Sequence, residues 1–576
     1  MTDRAWWRDA VIYQIYPRSF ADADGDGTGD LAGIRARLTY LRDLGADAVW
    51  YTPWYASPLA DGGYDVADYR AIDPVFGDLA EAEALIAEAR DLGIRTIVDV
   101  VPNHVSSEHP WFRAALAAPP GSPERDRFWF RDGGGPDGAA MPTSWVSSFQ
   151  GTTWTRTTNP DGTPGQWYLH LFTPQQPDLN WENADVRAEH EAVLRFWFDR
   201  GAAGIRIDSA ALPVKDPALP EVPGTWGPGE HPHLDRDGLH DIYRGWRAVA
   251  DSYGARGGAA DDGAAGGGSR DGGVAAGRTD GTGDDERVLV GEVWLPDAER
   301  FARYLRPDEM HTAFNFDFMT RPWHAKELRE SITRTLDAHA PVGAPPTWVL
   351  SNHDVTRPVT RYGREDSSFD FAAKRFGTPT DLELGTRRAR AAALLTGALP
   401  GSLYVYQGDE LGLPEADVPR GAIQDPMHFR SGGVDPGRDG CRVPLPWAAS
   451  GPSCGFGPDD GAAPWLPQPD GWSAYAADRQ AADPASMLTL YRTMIAARRA
   501  EPGLRDDAFA WLALPGLDDD APVLAFTRGV GFACVVNLGP EALALPPGAE
   551  VILASAPLGG GAVVPADTAV WYRRQD

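Results

Sequence analysis

The chain reads as an α/β protein built on a (β/α)8 TIM barrel, with an irregular domain inserted after the third strand and a C-terminal antiparallel β-domain. Three observations predict this. Short apolar strands alternate with helix-like stretches through most of the 576 residues. The alternation breaks once, between about His104 and Phe172, in a stretch rich in Gly, Pro, Trp and Asp. Beyond about Leu504 it gives way to short strands separated by turn signals. Repeated β-then-α units point to a closed barrel, with a doubly wound sheet as the rival arrangement.

Residues 11–16 are strand-like, and Leu31, Ile34, Leu38, Leu41 and Leu44 then recur at helical spacing. Residues 48–51 form a second strand and residues 79–92 a second helix. Residues 96–101, β-branched and apolar on both faces, suit a parallel strand covered by helices. After the break, residues 186–198 read as a helix and 204–207 as strand four. Strands five to eight are expected at 288–290, 314–318, 348–350 and 403–406, and a closing helix at 487–499. The barrel domain thus spans 1–103 and 173–503, the insertion 104–172, and the β-domain 504–576, with strands near 523–526, 532–536, 551–553 and 570–572. Residues 254–285 are almost wholly Gly, Ala, Asp, Arg, Ser and Thr, too polar to order themselves, and are expected to be a disordered surface loop.

A formal net charge of -29 argues against nucleic acid and against anionic membranes, since both need a basic surface. A neutral or cationic ligand fits better, and a salt-adapted or merely acidic surface is the plainer cause of such a charge. The 21 tryptophans suit a pocket that stacks rings on sugars, or simply a large aromatic core. Three cysteines without CxxC spacing argue against a disulfide framework or a zinc site. The first residues carry no apolar signal core, and no long apolar run follows. The expectation is a soluble, cytoplasmic protein.

The run Gly204-Ile205-Arg206-Ile207-Asp208 reads as a buried strand that presents Arg206 and Asp208 on one face, because side chains alternate along a strand. An arginine beside an aspartate favours the ionised carboxylate, the state a nucleophile needs. A structural ion pair at a strand end is the plainer alternative. Three more polar groups close strands: Asp99-Val-Val-Pro-Asn103-His104, Gly291-Glu292-Val293-Trp294 and Ser351-Asn352-His353-Asp354. In a barrel, C-terminal strand ends gather round one mouth, so Asp208, Glu292 and Asp354 are expected to converge from strands four, five and seven.

These four motifs, in this order, resemble those of the α-amylase superfamily of glycoside hydrolases. Gln176-Pro177-Asp178-Leu179-Asn180-Trp181, Gln407-Gly408-Asp409-Glu410-Leu411-Gly412 and the segment from Arg438 to Pro444 are similar to the α-glucosidase and oligo-1,6-glucosidase branch. The resemblance implies a covalent mechanism. Asp208 would be the nucleophile, Glu292 the acid/base that starts with its proton, and Asp354 a holder of sugar hydroxyls. The two carboxyls would lie about 5–5.5 Å apart, as retention requires. Arg206 would keep Asp208 ionised, and His104 and His353 would donate to hydroxyls of the cleaved glucose. Tyr64 would be the stacking platform. Asp65 and Arg357 would grip the non-reducing end and wall off the cavity behind it, unless they form a plain salt bridge beneath the site.

A second site is expected near the start. Asp22, Asp24, Asp26, Thr28 and Asp30 place oxygen donors at alternating positions around turn-forming glycines, a set that selects Ca²⁺ or Mg²⁺. It is not an EF-hand, because position twelve is Gly33 rather than Glu. Relatives carry a structural Ca²⁺ in such a loop, with a backbone carbonyl at the position of Thr28. A metal-free Asp-rich turn capping the next helix is the alternative. No organic cofactor is implied. Ser209, after the nucleophile, is small, which in this family leans toward α-1,4 rather than α-1,6 bonds. The implied activity is an exo-acting retaining α-glucosidase on small oligosaccharides. Its rivals are an oligo-1,6-glucosidase, an α-glucosyl transferase, and a non-catalytic sugar-binding scaffold.

Overall fold

The computed structural model describes residues 4–159, 161–257, 286–371, 376–518, 520–560 and 562–574. Eight parallel strands make the central sheet: β1 (Val11–Ile15), β2 (Ala48–Tyr51), β3 (Arg95–Val100), β4 (Gly204–Ile207), β5 (Val288–Gly291), β6 (Thr312–Ala313), β7 (Thr347–Val349) and β8 (Ser402–Tyr406). Their order is β6-β5-β4-β3-β2-β1-β8-β7, so each strand lies beside its sequence neighbour, as in a barrel rather than a doubly wound sheet. The seam between β6 and β7 is closed by Thr347. Its hydroxyl donates to Ala313 O at 2.6 Å and accepts from Asn315 N at 3.2 Å.

Strand periodicity of two sorts the barrel into an inside and an outside. Ile12, Ala48, Trp50, Ile97, Val288, Val290, Val349 and Tyr404 form one inner cluster. Their sequence neighbours, among them Tyr13, Val49, Val98, Ile205, Leu289, Trp348 and Leu403, belong to the larger core shared with the helices. The covering helices start on local signals. Asp78 caps Leu79–Asp91 in a full capping box with Glu81, and Asn183 caps Ala184–Asp199.

Three expectations are revised. The helix through Leu31–Leu44 is two helices, Leu31–Ala36 and Leu38–Leu44, broken at Arg37. The sixth strand is Thr312–Ala313, and the apolar run behind it turns instead into the helix Phe316–Thr320, whose first turn Asn315 caps through Phe318 N. The low-complexity segment begins inside the helix Gly238–Gly257, while 258–285 lies outside the described residues.

Between β3 and β4 lies a three-stranded antiparallel sheet of Phe130–Arg131, Pro164–Leu169 and Trp154–Thr158, cored by Trp129, Trp145 and Trp154. The C-terminal part is a five-stranded antiparallel sheet running Phe509–Trp511, Val523–Arg528, Phe532–Asn537, Thr568–Arg573, Glu550–Ala554. No helix among the described residues is long and apolar enough to cross a membrane.

Candidate active site

A cavity of about 670 Å³ opens where β3, β4, β5 and β7 end, lined by Asp61, Tyr64, His104, Asp208, Glu292, Asp354 and Arg438 among others. The three expected carboxylates therefore share one cavity. Arg206 explains how two of them are held. It projects from the middle of β4 and is buried, stacked 4.8 Å over the Trp50 ring. Its Nη1 donates to both oxygens of Asp99 at 2.9 Å and to Asp208 Oδ1 at 2.8 Å, and its Nη2 donates to Glu292 Oε2 at 2.6 Å. Glu292 also accepts from Ser209 N at 3.0 Å and from Trp294 Nε1 at 3.0 Å. Ser209 has φ 45°, in the left-handed region, and this turn aims its amide back at Glu292.

Arg206 bonds Asp208 and favours its ionised form, as expected of it, but it does not serve Asp208 alone. One guanidinium is divided among three carboxyls. Burial pushes the Asp208 carboxyl up, Arg206 opposes, and the charges of Glu292 and Asp99 push it further. Burial likewise lifts Asp99 to about 7 despite Arg206 and Trp50. Burial thus works against the ionised form at this end of the cavity, and Arg206 works for it.

The other end behaves differently. Asp354 Oδ1 accepts from Arg442 Nη2 at 2.8 Å and Arg438 Nη1 at 3.1 Å, and Oδ2 lies 3.4 Å from His353 Nε2. Burial alone would raise Asp354, but the guanidiniums of Arg438, Arg442 and Arg206 overcome it and hold the carboxyl well below the usual range. His353 itself is driven far down by burial and stays neutral. Gln14 Nε2 meets its Nδ1 at 2.7 Å, and since an amide NH₂ only donates, the ring proton sits on Nε2. His104 is also neutral, pushed down to about 3 by burial and by Lys215. The Tyr64 ring lies parallel to His353 at 5.2 Å, and its hydroxyl bonds Asp99 Oδ2 at 3.2 Å, so it forms part of the cavity floor.

Asp65 and Arg357 do not meet and neither lines the cavity. Asp65 is fully buried and accepts from Asp61 N and Ala60 N, both at 3.0 Å. Burial raises it to about 6, against the pull of those amides. Arg357 donates to Gln407 O at 3.0 Å and Cys441 O at 2.7 Å. Both are braces behind the wall. The pair that does face the cavity is Asp61 and Arg438, joined at 2.6 Å. The reason is local: Gly62 and Gly63 take φ 60° and 107°, so the chain doubles back, turning Asp61 inward and Asp65 onto the backbone of the same turn. Asp425 clamps Arg438 from behind at 2.7 Å, and Gln176 Nε2 donates to Asp61 Oδ2 at 3.0 Å.

Arg438 and Arg442 lie in the Arg438–Pro444 motif, to which the sequence reading gave no role. Two arginines four apart in a Gly- and Pro-bearing loop were the available signal. Lys215 is a further buried support. It pairs with Asp178 at 2.8 Å and donates to Asn103 Oδ1 at 2.5 Å, while Asn103 Nδ2 reaches His104 Nδ1 at 3.0 Å.

At the expected metal loop, Asp22, Asp24 and Asp30 gather carboxylate oxygens within 4.8 Å of one another. Asp26 stands outside this group and accepts from Thr28 N at 2.7 Å. Burial raises the Asp22 carboxyl, partly relieved by Gly25 N and Gly27 N and worsened by Asp30 and Asp24. Crowded hard-oxygen donors of this kind fit a Ca²⁺ or Mg²⁺ ion. They fit the metal-free turn as well, since Asp30 Oδ1 caps the next helix through Gly33 N.

The family described as alpha amylase, catalytic domain, matches residues 14–507. A probable alpha-glucosidase of Rhizobium meliloti (strain 1021) is 34% identical over 561 residues, covering 94% of this chain and 90% of that protein. A trehalose-6-phosphate hydrolase of Escherichia coli (strain K12) is 32% identical, covering 93% and 91%. The crystal structure of an alpha-glucosyl transfer enzyme, XgtA, superposes with a TM-score of 0.79 at 33% identity, over 99% of this chain and 100% of that one.

Proposed function

The chain belongs to the α-amylase family of glycoside hydrolases, and from that premise we propose that it is an exo-acting, retaining α-glucosidase releasing glucose from the non-reducing ends of short α-1,4-glucosides. One observation carries this: Asp208 and Glu292 are tied to the same guanidinium in a cavity bounded by Asp61 and Arg438. Two carboxyls so joined fit the separation of about 5–5.5 Å used in retention better than the wider spacing that admits a water between them.

In this reading Asp208 attacks the anomeric carbon as Glu292 gives its proton to the departing oxygen, leaving a glucosyl ester on Asp208. Water then attacks the same carbon, Glu292 takes the water's proton, and the ester bond to Asp208 breaks. Asp354, held ionised, accepts from ring hydroxyls, and the neutral His353 and His104 donate to them. Tyr64 supports the apolar face of the glucose ring. Asp61 and Arg438 receive the terminal hydroxyls, which confines cleavage to one glucose at a time.

The test is a panel of maltose, isomaltose, sucrose and trehalose 6-phosphate, following glucose and transfer products. Maltose hydrolysis leads if the reading holds. Dominant isomaltose cleavage makes the chain an oligo-1,6-glucosidase, and dominant transfer products make it a glucosyl transferase. An Asp208→Asn protein that still turned over an aryl α-glucoside at the wild-type rate would end the catalytic assignment and favour a sugar-binding scaffold.

We assign Asp22, Asp24 and Asp30 to a structural Ca²⁺, with Mg²⁺ as the alternative. Such an ion neutralises the crowded loop and takes no part in the chemistry. A cytoplasmic location is supported by the cysteines: Cys441, Cys454 and Cys534 are all unpaired.

A further inference from the structure

A second cavity, of about 870 Å³, lies at the opposite end of the barrel. Ala10 and Val11 at the start of β1, Asp47 just before β2 and Arg95 at the start of β3 line it, together with Leu504, Arg505 and Asp507 from the passage into the C-terminal sheet. Its charge inverts that of the molecule. The chain holds 82 acidic and 53 basic side chains. This lining holds Arg4, Arg8, Arg95, Arg498, Arg499 and Arg505 against three aspartates.

The three aspartates are committed. Asp507 takes Arg4 Nη2 at 2.6 Å, Asp9 lies 3.6 Å from Arg4 Nε, and Asp47 takes Arg499 Nη2 at 2.5 Å and Val11 N at 2.8 Å. Arg498 is buried and, among the described residues, has the carbonyls of Gly397, Leu399 and Gly401 as its hydrogen-bond acceptors. Arg528, also buried, gives its donors to the carbonyls of Ala398, Leu504, Asp506 and Ala508. Both guanidiniums are desolvated and bonded to backbone dipoles, and the nearby charges of Asp9, Asp47, Asp506 and Asp507 only partly offset that burial. Among the described residues, Arg8 uses only Nη2, on Gly343 O at 3.1 Å, and Arg505 only Nε and Nη2, both on Arg499 O. Arg8 Nε and Nη1 and Arg505 Nη1 have no partner there.

We propose that this cavity is a binding site for a small organic phosphate carrying two or more negative charges. Guanidinium forks with unused donors match phosphate oxygens, and a lining of six arginines against three aspartates favours a dianion over a chloride or a single carboxylate. The volume lies within the roughly 300–1,000 Å³ of small-molecule sites, with room for more than inorganic phosphate alone. Such a ligand bridges the barrel floor to the start of the C-terminal sheet, so its binding stabilises the fold and leaves the chemistry at the other end unchanged. The site is independent of the proposed glucosidase activity.

The experiment is calorimetric titration of the full chain with inorganic pyrophosphate, with melting temperature followed in parallel. The expected result is saturable 1:1 binding that weakens with added salt, and a melting temperature that rises with pyrophosphate. The double variant Arg8→Ala/Arg505→Ala should bind at least about tenfold more weakly while hydrolysing an aryl α-glucoside normally, which certifies its fold. Asp9→Asn, which only removes a competing charge, should bind severalfold more tightly. Absence of saturable binding to the wild type, an unchanged affinity in both variants, or displacement of pyrophosphate by saturating glucose would overturn the assignment.

Discussion

Substituting Asp61 by Asn tests the corrected picture of the cavity wall. The change keeps the shape of the side chain and removes the charge that Arg438 Nη2 meets at 2.6 Å. A hydrogen bond involving a charged group contributes about 1.5–3 kcal/mol, which corresponds to about 10- to 150-fold in kcat/KM if a substrate hydroxyl shares that carboxylate. The cost to stability is smaller than the about 3–5 kcal/mol of breaking an isolated buried pair. Arg438 keeps Asp425 at 2.7 Å and Asp354 at 3.1 Å, so its charge is never left alone. Asp65→Asn is the contrast. Asp65 accepts two backbone amides and does not line the cavity, so its loss loosens the turn and lowers the melting temperature more than it lowers the rate. The assay is kcat/KM on maltose beside a melting curve for each variant. If Asp61→Asn stays within about twofold of wild type while Asp65→Asn loses about tenfold or more, the assignment of Asp61 to the wall is wrong.

Glu292→Gln should lower kcat/KM on maltose by about 10²–10⁴-fold, and far less on an aryl α-glucoside whose leaving group departs without a proton; equal losses on both would remove the acid role. His311 supplies a pH prediction: its Nδ1 accepts from Leu289 N at 3.0 Å, and burial pushes it down to about 3. A histidine depressed below its unfolded value of about 6.5 contributes stability that is full above that pH and falls by about 1.4 kcal/mol per pH unit below it, because only the unfolded chain takes up the proton. Between pH 7 and pH 5 the wild type should therefore lose about 2 kcal/mol more than His311→Gln in urea denaturation, and parallel pH profiles would contradict this. Chelation should lower the melting temperature, with Ca²⁺ restoring it and kcat unaffected at low temperature; a chelator-insensitive melt would favour the plain Asp-rich turn. Ser209→Val should destabilise, because a β-branched residue at φ 45° is strained, and should raise the isomaltose-to-maltose ratio; an unchanged melt and ratio would refute the reading of this position.

The parts of the fold that were legible are those written in local order. Seven strands stand where a period of two and β-branched residues place them. The sixth was misplaced because Phe314 and Phe316 fill the barrel interior, giving a loop and a helix start the apolar look of a strand. Asp208, Glu292 and Asp354 were legible because each follows its strand directly, and barrel geometry does the rest. Asp61 and Arg438 were not. They are 377 residues apart in sequence, and the choice between Asp61 and Asp65 depends on two glycine backbone angles that residue spacing does not encode. The division of Arg206 among three acids was equally hidden: Asp99 stood in a strand-end motif, but nothing in the spacing linked it to Arg206.

That division matters for the chemistry. Six carboxyl groups (Asp61, Asp99, Asp208, Glu292, Asp354 and Asp425) share the guanidiniums of Arg206, Arg438 and Arg442. Burial disfavours the surplus negative charge, so it falls on particular groups. Asp354 and Asp425, each under the pull of both Arg438 and Arg442, are held down although burial opposes this. Asp61, Asp99 and Asp208 are pushed up, burial outweighing their arginines. Burial therefore opposes ionisation of the carboxyls beside Arg206, while negative charge is held beside Arg438 and Arg442. A sugar ring that becomes oxocarbenium-like brings positive charge into the middle of that shortage, and each carboxylate it meets is better balanced than before. The deficit of cations that burial penalises in the resting site is therefore the same feature that favours the reacting one.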